Sequence, residues 1–236
     1  MPINAKAKLI EKKNLTSKIL FFKFEMIDPE VINFSPGQYI SIDIGTGARR
    51  EYSIASSPLD DNKTFEIVVD TSPHGVGSQF LEKLQTGSEI SFLGEIGSFI
   101  LPEVLAPNLF FIGTGTGITP LKSMIESIVL NVEDDNLNVY VYYGTRTQEE
   151  VIYKELFEKY LSENRIDDYK IYISRDDNPT DGKTGYVGDF IDTFDKSVFP
   201  DSQFFICGNG NMIKTVEEKL LQAQVNSSQI FYEKYY

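Results

Sequence analysis

Cysteine is almost missing from this 236-residue chain: Cys207 stands alone, and His74 is the one histidine. A single thiol makes no internal disulfide and cannot hold an iron–sulfur cluster, which usually takes about four thiolates. The scarcity of histidine argues against a zinc site as well, so no metal is expected. Redox chemistry in this chain would fall to an organic cofactor. Positive charge is also in short supply. Lys and Arg number 22 against 35 Asp and Glu, leaving a net charge of −13 that argues against nucleic acid as a partner. The deficit is uneven: residues 1–50 hold eight basic and five acidic side chains, a surplus of three, so the remaining 186 residues carry −16. Long apolar runs are lacking too. None approaches the roughly 20 residues that span a bilayer. Met1 to Leu20 has scattered charges where a signal peptide needs an apolar block. The expectation is a soluble cytoplasmic protein with no membrane insertion.

What the chain does have is enough apolar content, 41%, for real cores. Its length suits one large domain or two small ones. Two halves differ in pattern. Residues 1–100 read as short strands rich in β-branched and aromatic residues: Ala5–Glu11, Lys18–Glu25, Gln38–Asp43, Arg50–Ser56, Phe65–Asp70 and Glu89–Leu93. Turn signals separate them at Ser35-Pro36-Gly37, Gly45-Thr46-Gly47 and Leu59-Asp60-Asp61-Asn62. Such spacing predicts an antiparallel barrel or sandwich. One helix is expected there, Ser78–Gln85, stopped by Gly87.

From about Asn108 strands and helices alternate. Leu109–Ile112, Asn138–Tyr143, Lys170–Ser174 and Gln203–Cys207 are compact apolar strands. Helices are expected over Pro120–Leu130, Glu149–Ser162, Val187–Phe194 and Met212–Gln224, with a last strand near Ile230–Tyr235. Alternation of this kind implies a doubly wound parallel sheet. The join falls near Pro102–Pro107, where prolines discourage regular structure. The fold class is therefore two-domain: an antiparallel β-barrel over 1–102, then an α/β doubly wound parallel-sheet domain over 103–236.

Four short motifs carry chemistry. Gly113-Thr114-Gly115-Thr116-Gly117-Ile118-Thr119-Pro120 follows an apolar strand and opens a helix, with Thr119 as its cap and Pro120 at its first position. Glycines admit a ligand close to the backbone, and the helix start offers free N–H groups to a phosphate. Cys207-Gly208-Asn209-Gly210 ends a later strand. If the strands at Leu109 and Gln203 are neighbours at a reversal of strand order, Cys207 and Gly115 face one crevice. Arg50-Glu51-Tyr52-Ser53 begins a barrel strand: Arg suits a pyrophosphate, Tyr a flat ring, Ser a ring nitrogen. Gly75-Val76-Gly77-Ser78 precedes the short helix and forms a second phosphate-type cradle.

Each motif alone has a bland explanation. In this order and spacing they resemble the ferredoxin–NADP reductase superfamily over nearly the whole chain. Arg50, Tyr52 and Ser53 match the family's R-x-Y-S signature, and Gly75 and Ser78 its G-x-x-S pyrophosphate motif. Gly115–Pro120 matches the glycine-rich nicotinamide motif, Cys207-Gly208 the Cys-Gly pair, and Glu233-Lys234-Tyr235 the E-x-Y ending. The resemblance implies a barrel that binds FAD and a parallel sheet that binds a nicotinamide dinucleotide. FAD contacts would come from Arg50, Glu51, Tyr52, Ser53, from Ile67, Val68, Val69, from Gly75, Val76, Gly77, Ser78, and from Thr116. Tyr235 or Tyr236 would cover the flavin face. The dinucleotide would meet Gly115, Thr116, Gly117 and Pro120, then Thr145 and Arg146, then Cys207 and Gly208.

The resemblance also implies that nicotinamide C4 meets flavin N5 in a crevice between the domains. Ser53, Cys207, Glu233 and Tyr235 would be the catalytic residues. Ser174-Arg175, with Lys183 and Tyr186 downstream, resembles a 2′-phosphate site and favours NADP over NAD. The implied activity is that of an NAD(P)H-dependent flavoprotein oxidoreductase of the ferredoxin/flavodoxin–NADP+ reductase type. Electrons would leave to a separate acceptor such as ferredoxin or flavodoxin, steered by a basic stretch of Lys6, Lys8, Lys12, Lys13, Lys18 and Lys23. Two other readings share the fold: an NAD(P)H:flavin reductase using free flavin, and an electron-transfer subunit of a larger complex. The Gly75–Ser78 cradle argues against the first, and the missing C-terminal cysteine cluster against the second.

Overall fold

The computed structural model describes residues 2–235 except 46, 60 and 131–136. Tyr236 and parts of two predicted turns, Thr46 and Asp60, lie outside the described residues. The chain divides into two compact units, Met1–Leu101 with Lys122–Leu130, and Pro102–Leu121 with Asn131–Tyr236.

The first unit is built on six antiparallel strands: β1 (Ile3–Asn14), β2 (Ile19–Asp28), β3 (Tyr39–Asp43), β4 (Arg49–Ser53), β5 (Thr64–Asp70) and β6 (Glu89–Ile96). Their order in the sheet is β4-β3-β6-β1-β2-β5. The segment after β4 folds onto β5 through a bridge between Ile54 and Ile67 and the bond from Ala55 N to Glu66 O (2.8 Å), which brings the two edge strands together. Period-2 patterning places the core. Along β2, Phe22, Phe24 and Met26 turn inward while Lys23 and Glu25 turn out. Phe24 stacks on Phe65 with ring centroids 5.3 Å apart, and Phe65 meets Phe92 edge-on at 5.2 Å. Truncating such a buried ring costs about 3–5 kcal/mol.

Helix α1 (Val76–Lys83) begins two residues before its expected start and ends at Leu84. Gly87 is not its stop. The Lys12 ammonium takes the last carbonyls instead, donating to Glu82 O at 2.6 Å and Leu84 O at 3.0 Å, and Gly87 sits in the following turn with its N–H on Leu9 O.

The second unit holds β7 (Asn108–Thr114), α2 (Ile118–Val129), β8 (Asn138–Thr145), α3 (Lys154–Ser162), β9 (Asp168–Ile173), β10 (Lys183–Thr184), α4 (Phe190–Thr193), β11 (Ser202–Asn209), α5 (Gly210–Gln222) and β12 (Ile230–Tyr235), with the later residues of α2 counted in the first unit. All its strand pairs are parallel, in the order β10-β9-β8-β7-β11-β12. On one face Phe110, Phe204 and Tyr142 pack with Phe190 of α4 and Ile213, Val216 and Leu220 of α5. On the other, Phe111, Phe205 and Phe231 form a stack at successive centroid distances of 5.1 Å. Buried runs on both faces are what a doubly wound sheet requires.

In the second unit three helices depart from expectation by more than a small shift at their ends. The predicted helix Glu149–Ser162 is interrupted: a 3-10 turn at Gln148–Glu150 is followed by Tyr153 in a left-handed conformation (φ 61°), and α3 starts only at Lys154. The β-branched pair Val151-Ile152 favours extended backbone, and Ile152 is buried. Val187–Phe194 splits into a 3-10 turn and the single turn of α4. The start of α2 also moves. A 3-10 turn at Gly115–Gly117 runs into the helix at Ile118, so Thr119 lies inside the first turn and does not cap it. Its hydroxyl is buried without a hydrogen-bond partner among the described residues. No described helix is long and apolar enough to cross a membrane.

Candidate functional site

The motifs gather into two groups, one within each unit. In the first unit, β4 alternates its side chains: Arg50 and Tyr52 share a face, with Ser53 turned the other way and buried opposite Tyr39 of β3. Arg49 is folded back, its guanidinium donating twice to Ser41 O (3.2 and 2.7 Å), while Arg50 stays exposed. Gly77 packs directly on the Arg50–Tyr52 face. A Cβ there would lie 2.4 Å from Tyr52 Oη and 2.8 Å from Arg50 Cγ. Two motifs 25 residues apart thus form one surface.

Gly75 is the N-cap of α1 and provides no side-chain cap, so the first N–H groups of the helix are open to an anion. The Ser78 hydroxyl donates to Gly75 O at 3.0 Å, which shapes the turn. Burial pushes the Tyr52 phenol up to about 12, with the Arg50 charge acting the opposite way. Ile67 and Val69 point into the barrel core, while Val68 is buried outside that cluster. The residues present fit a dinucleotide flavin: an exposed guanidinium, an uncapped helix start and a glycine where a side chain would collide.

In the second unit strand order reverses between β7 and β11, whose carboxyl ends lie side by side with Cys207 opposite Gly113. The expected pairing of these strands is present. The loops interlock: a Cβ on Gly117 would stand 2.3 Å from Cys207 O, and Asn209 N donates to Thr114 Oγ1 at 3.2 Å. Cys207 is fully buried. Burial, and secondarily the charge of Glu233, push its thiol well above the usual range, against a side-chain hydrogen bond with Tyr235. It is a neutral thiol rather than a nucleophile. Glu233 pairs in register with Cys207, and Tyr235 with Asn209, so three predicted catalytic residues share one end of the sheet. The 3-10 turn before α2, which has no side-chain cap bond, fits a polar ligand at this crevice.

Further along the same end, β8 and β9 carry Thr145-Arg146 beside Ser174-Arg175. Ser174 N donates to Thr145 O at 3.0 Å and Arg175 N to Arg146 O at 2.9 Å. Lys183 and Gly185 continue alongside Tyr172 and Ile173 of β9, and Tyr186 is 70% exposed. Glu150 approaches the same loop, its carboxylate accepting from Arg146 N at 3.3 Å. The basic stretch of β1 and β2 is less free than expected. Lys8 pairs with Glu25 (3.1 Å), Lys13 with Glu11 (2.7 Å) and Lys23 with Glu66 (3.9 Å), and Lys12 serves α1. Sequence reading missed one polar group altogether: Lys122 and Glu126, buried on α2 and 2.8 Å apart. Charges at i and i+4 in the otherwise apolar run Leu121–Val129 are the signal that could have found them.

Comparison with known proteins adds two domain matches. Residues 6–100 match an oxidoreductase FAD-binding domain and residues 111–218 an oxidoreductase NAD-binding domain. The ferredoxin–NADP reductase B of Sorangium cellulosum is 30% identical over 221 residues, covering 90% of this chain and 89% of its own. A ferredoxin NADP+ reductase from Neisseria gonorrhoeae, solved with bound FAD and NADP, superposes with a TM-score of 0.81 at 23% identity over 99% of each chain. The ferredoxin reductase of a carbazole 1,9a-dioxygenase superposes with a TM-score of 0.86 at 20% identity, over 100% of this chain and 70% of its own.

Proposed function

The chain belongs to the ferredoxin–NADP reductase superfamily, and from that membership we propose that it exchanges electrons between NADPH and a separate ferredoxin or flavodoxin through FAD. It is an FAD-dependent NAD(P)H oxidoreductase, and its electron acceptor is an iron–sulfur or similar protein. The observation that carries the reading is the meeting of Gly77 with the Arg50–Tyr52 face, which brings two weak motifs onto one surface beside an uncapped helix start.

Bound FAD supplies the conversion between a hydride, exchanged at nicotinamide C4, and single electrons for the acceptor. The protein's residues bind, orient and manage protons. Arg50 and the open N–H groups at the start of α1 hold the flavin pyrophosphate by charge-assisted bonds. Ser53, at the end of β4, offers its hydroxyl to the edge of the flavin ring. The Gly115–Gly117 turn and the start of α2 receive the dinucleotide's phosphates. Arg175 with Ser174, supported by Arg146, Lys183 and Tyr186, reads the 2′-phosphate and sets the preference for NADP. Cys207 keeps its proton and shapes an apolar wall, and Glu233 beside it is the carboxyl group able to take or give a proton. Tyr235, at the same end of the sheet as Cys207, would cover the flavin face and move aside to admit nicotinamide.

Anaerobic mixing of the FAD-reconstituted protein with NADPH and with NADH tests the reading. NADPH should bleach the visible flavin band faster at equal concentration. Extraction of FMN in place of FAD, or no bleaching by either nucleotide, would overturn it.

A further inference from the structure

The first unit contains a buried polar array that the proposed chemistry does not use. Lys122 is 6% exposed, and its ammonium reaches three oxygens: Glu126 Oε2 at 2.8 Å, Ala55 O at 3.1 Å and Glu66 Oε2 at 3.5 Å. Beside it the Ser123 hydroxyl donates to Ser56 O at 2.7 Å, and the hydroxyls of Ser57 and Ser127 share a bond of 3.0 Å. Three successive residues, Ala55, Ser56 and Ser57, are therefore each gripped from one face of α2. The same segment is held on its other side by β5. Ala55 N donates to Glu66 O at 2.8 Å, and Glu66 N to Ser56 Oγ at 3.2 Å. All three residues of the segment are buried.

Burying an ammonium is costly unless its bonds are well made, and a plain apolar contact would anchor a helix as firmly. What such an array adds is directional: its short bonds fix where the oxygens sit. Ala55 lies two residues beyond Ser53. An extended chain covers about 3.3 Å per residue, so fixing the Ala55 carbonyl leaves Ser53 little slack. We propose that Lys122, with Glu126 and Ser123, is a positioning group that sets the Ser53–Ser57 segment, and through it the hydroxyl that Ser53 presents to the flavin ring. This rests on the proposed placement of FAD beside Ser53.

The test uses the full chain, stripped of flavin and titrated with FAD. Ser123→Ala removes one neutral bond and is expected to fold normally. The double change Lys122→Met with Glu126→Met removes both charges of the close pair and avoids leaving Glu126 buried without its partner. Lys122→Arg keeps the charge and donors. The double variant should keep an apoprotein melting point near that of the parent, yet show a displaced visible flavin band and a Kd for FAD raised about tenfold. Ser123→Ala should displace the band in the same sense by less, and Lys122→Arg should restore it. A parent protein that binds no FAD sinks the flavin assignment. A parent that binds FAD, with Ser123→Ala and the double variant matching it in band and Kd, sinks the positioning role alone. If the double variant does not fold, Ser123→Ala decides.

Discussion

Gly117 has no room for a side chain, because the space its Cβ would take is held by the backbone of Cys207 at 2.3 and 2.6 Å. Backbone cannot rotate away as a side-chain tip can, so Gly117→Ala must push the β7 and β11 loops apart. The expected cost is about 1–3 kcal/mol of stability, typical of overpacking. NADP+ affinity should fall with it while FAD affinity holds. Urea melts and nucleotide titrations measure both, and equal losses for FAD and NADP+ would show that the damage is not local to the dinucleotide loops. Arg175→Ala should act on one nucleotide alone. Losing a charged phosphate contact is worth about 1.5–3 kcal/mol, or roughly tenfold to a hundredfold in NADPH kcat/KM. NADH kinetics should hardly change, and a matching fall for NADH would remove Arg175 from the 2′-phosphate.

At the scale of elements, α1 shows how a short helix is kept in place. Its first N–H groups are left uncapped, and its last carbonyls are taken by Lys12 from β1, a cation at the negative end of the helix dipole. Lys12→Met keeps the aliphatic stem and removes the bonds, so about 1 kcal/mol of apoprotein stability should go, read by denaturant melts. No loss would mean that the ammonium is solvated as well without the helix as with it. That clamp could not be read from sequence. Lys12 and Leu84 are 72 residues apart, and nothing local in either says that they meet.

The strands were legible because alternation such as Phe22-Lys23-Phe24-Glu25-Met26 is a local signal for a half-buried face. Helix starts were less so. Tertiary contact decided where α2 and α3 begin, against the propensities of Thr119-Pro120 and Glu149-Glu150. The candidate site could be read as four motifs, and their joining into pairs, Gly77 on Tyr52 and Gly117 on Cys207, emerged only from the fold.

Over the whole molecule the shifted side chains act mainly at alkaline pH. Burial raises the phenols of Tyr52 and Tyr172 to about 12, and those of Tyr140, Tyr142, Tyr143 and Tyr169 shift upward for the same leading reason. These groups stay protonated in the fold after an unfolded chain has begun to lose its phenolic protons, near pH ~10. The unfolded state then binds fewer protons, so stability falls as pH rises. Denaturant midpoints should hold up to about pH 9.5 and decline from about 10 to 12. Tyr172→Phe should flatten part of that decline, and a variant keeping the parent's alkaline slope would show that this phenol does not contribute.

The placing of β7 between β8 and β11 has a consequence for the order in which the protein is made. All six barrel strands lie within the first 96 residues. The dinucleotide pocket we propose, by contrast, would have one wall at Gly115–Gly117 and the other at Cys207-Gly208, about 90 residues later. At ribosomal rates of ~5–20 residues per second, the first wall waits roughly 5–20 s for the second. Through that interval the edge of β7 that will receive β11, with Phe110 and Phe111 beside it, has no strand to pair with. A nascent chain would thus complete its six antiparallel strands well before the second of these two loops leaves the ribosome.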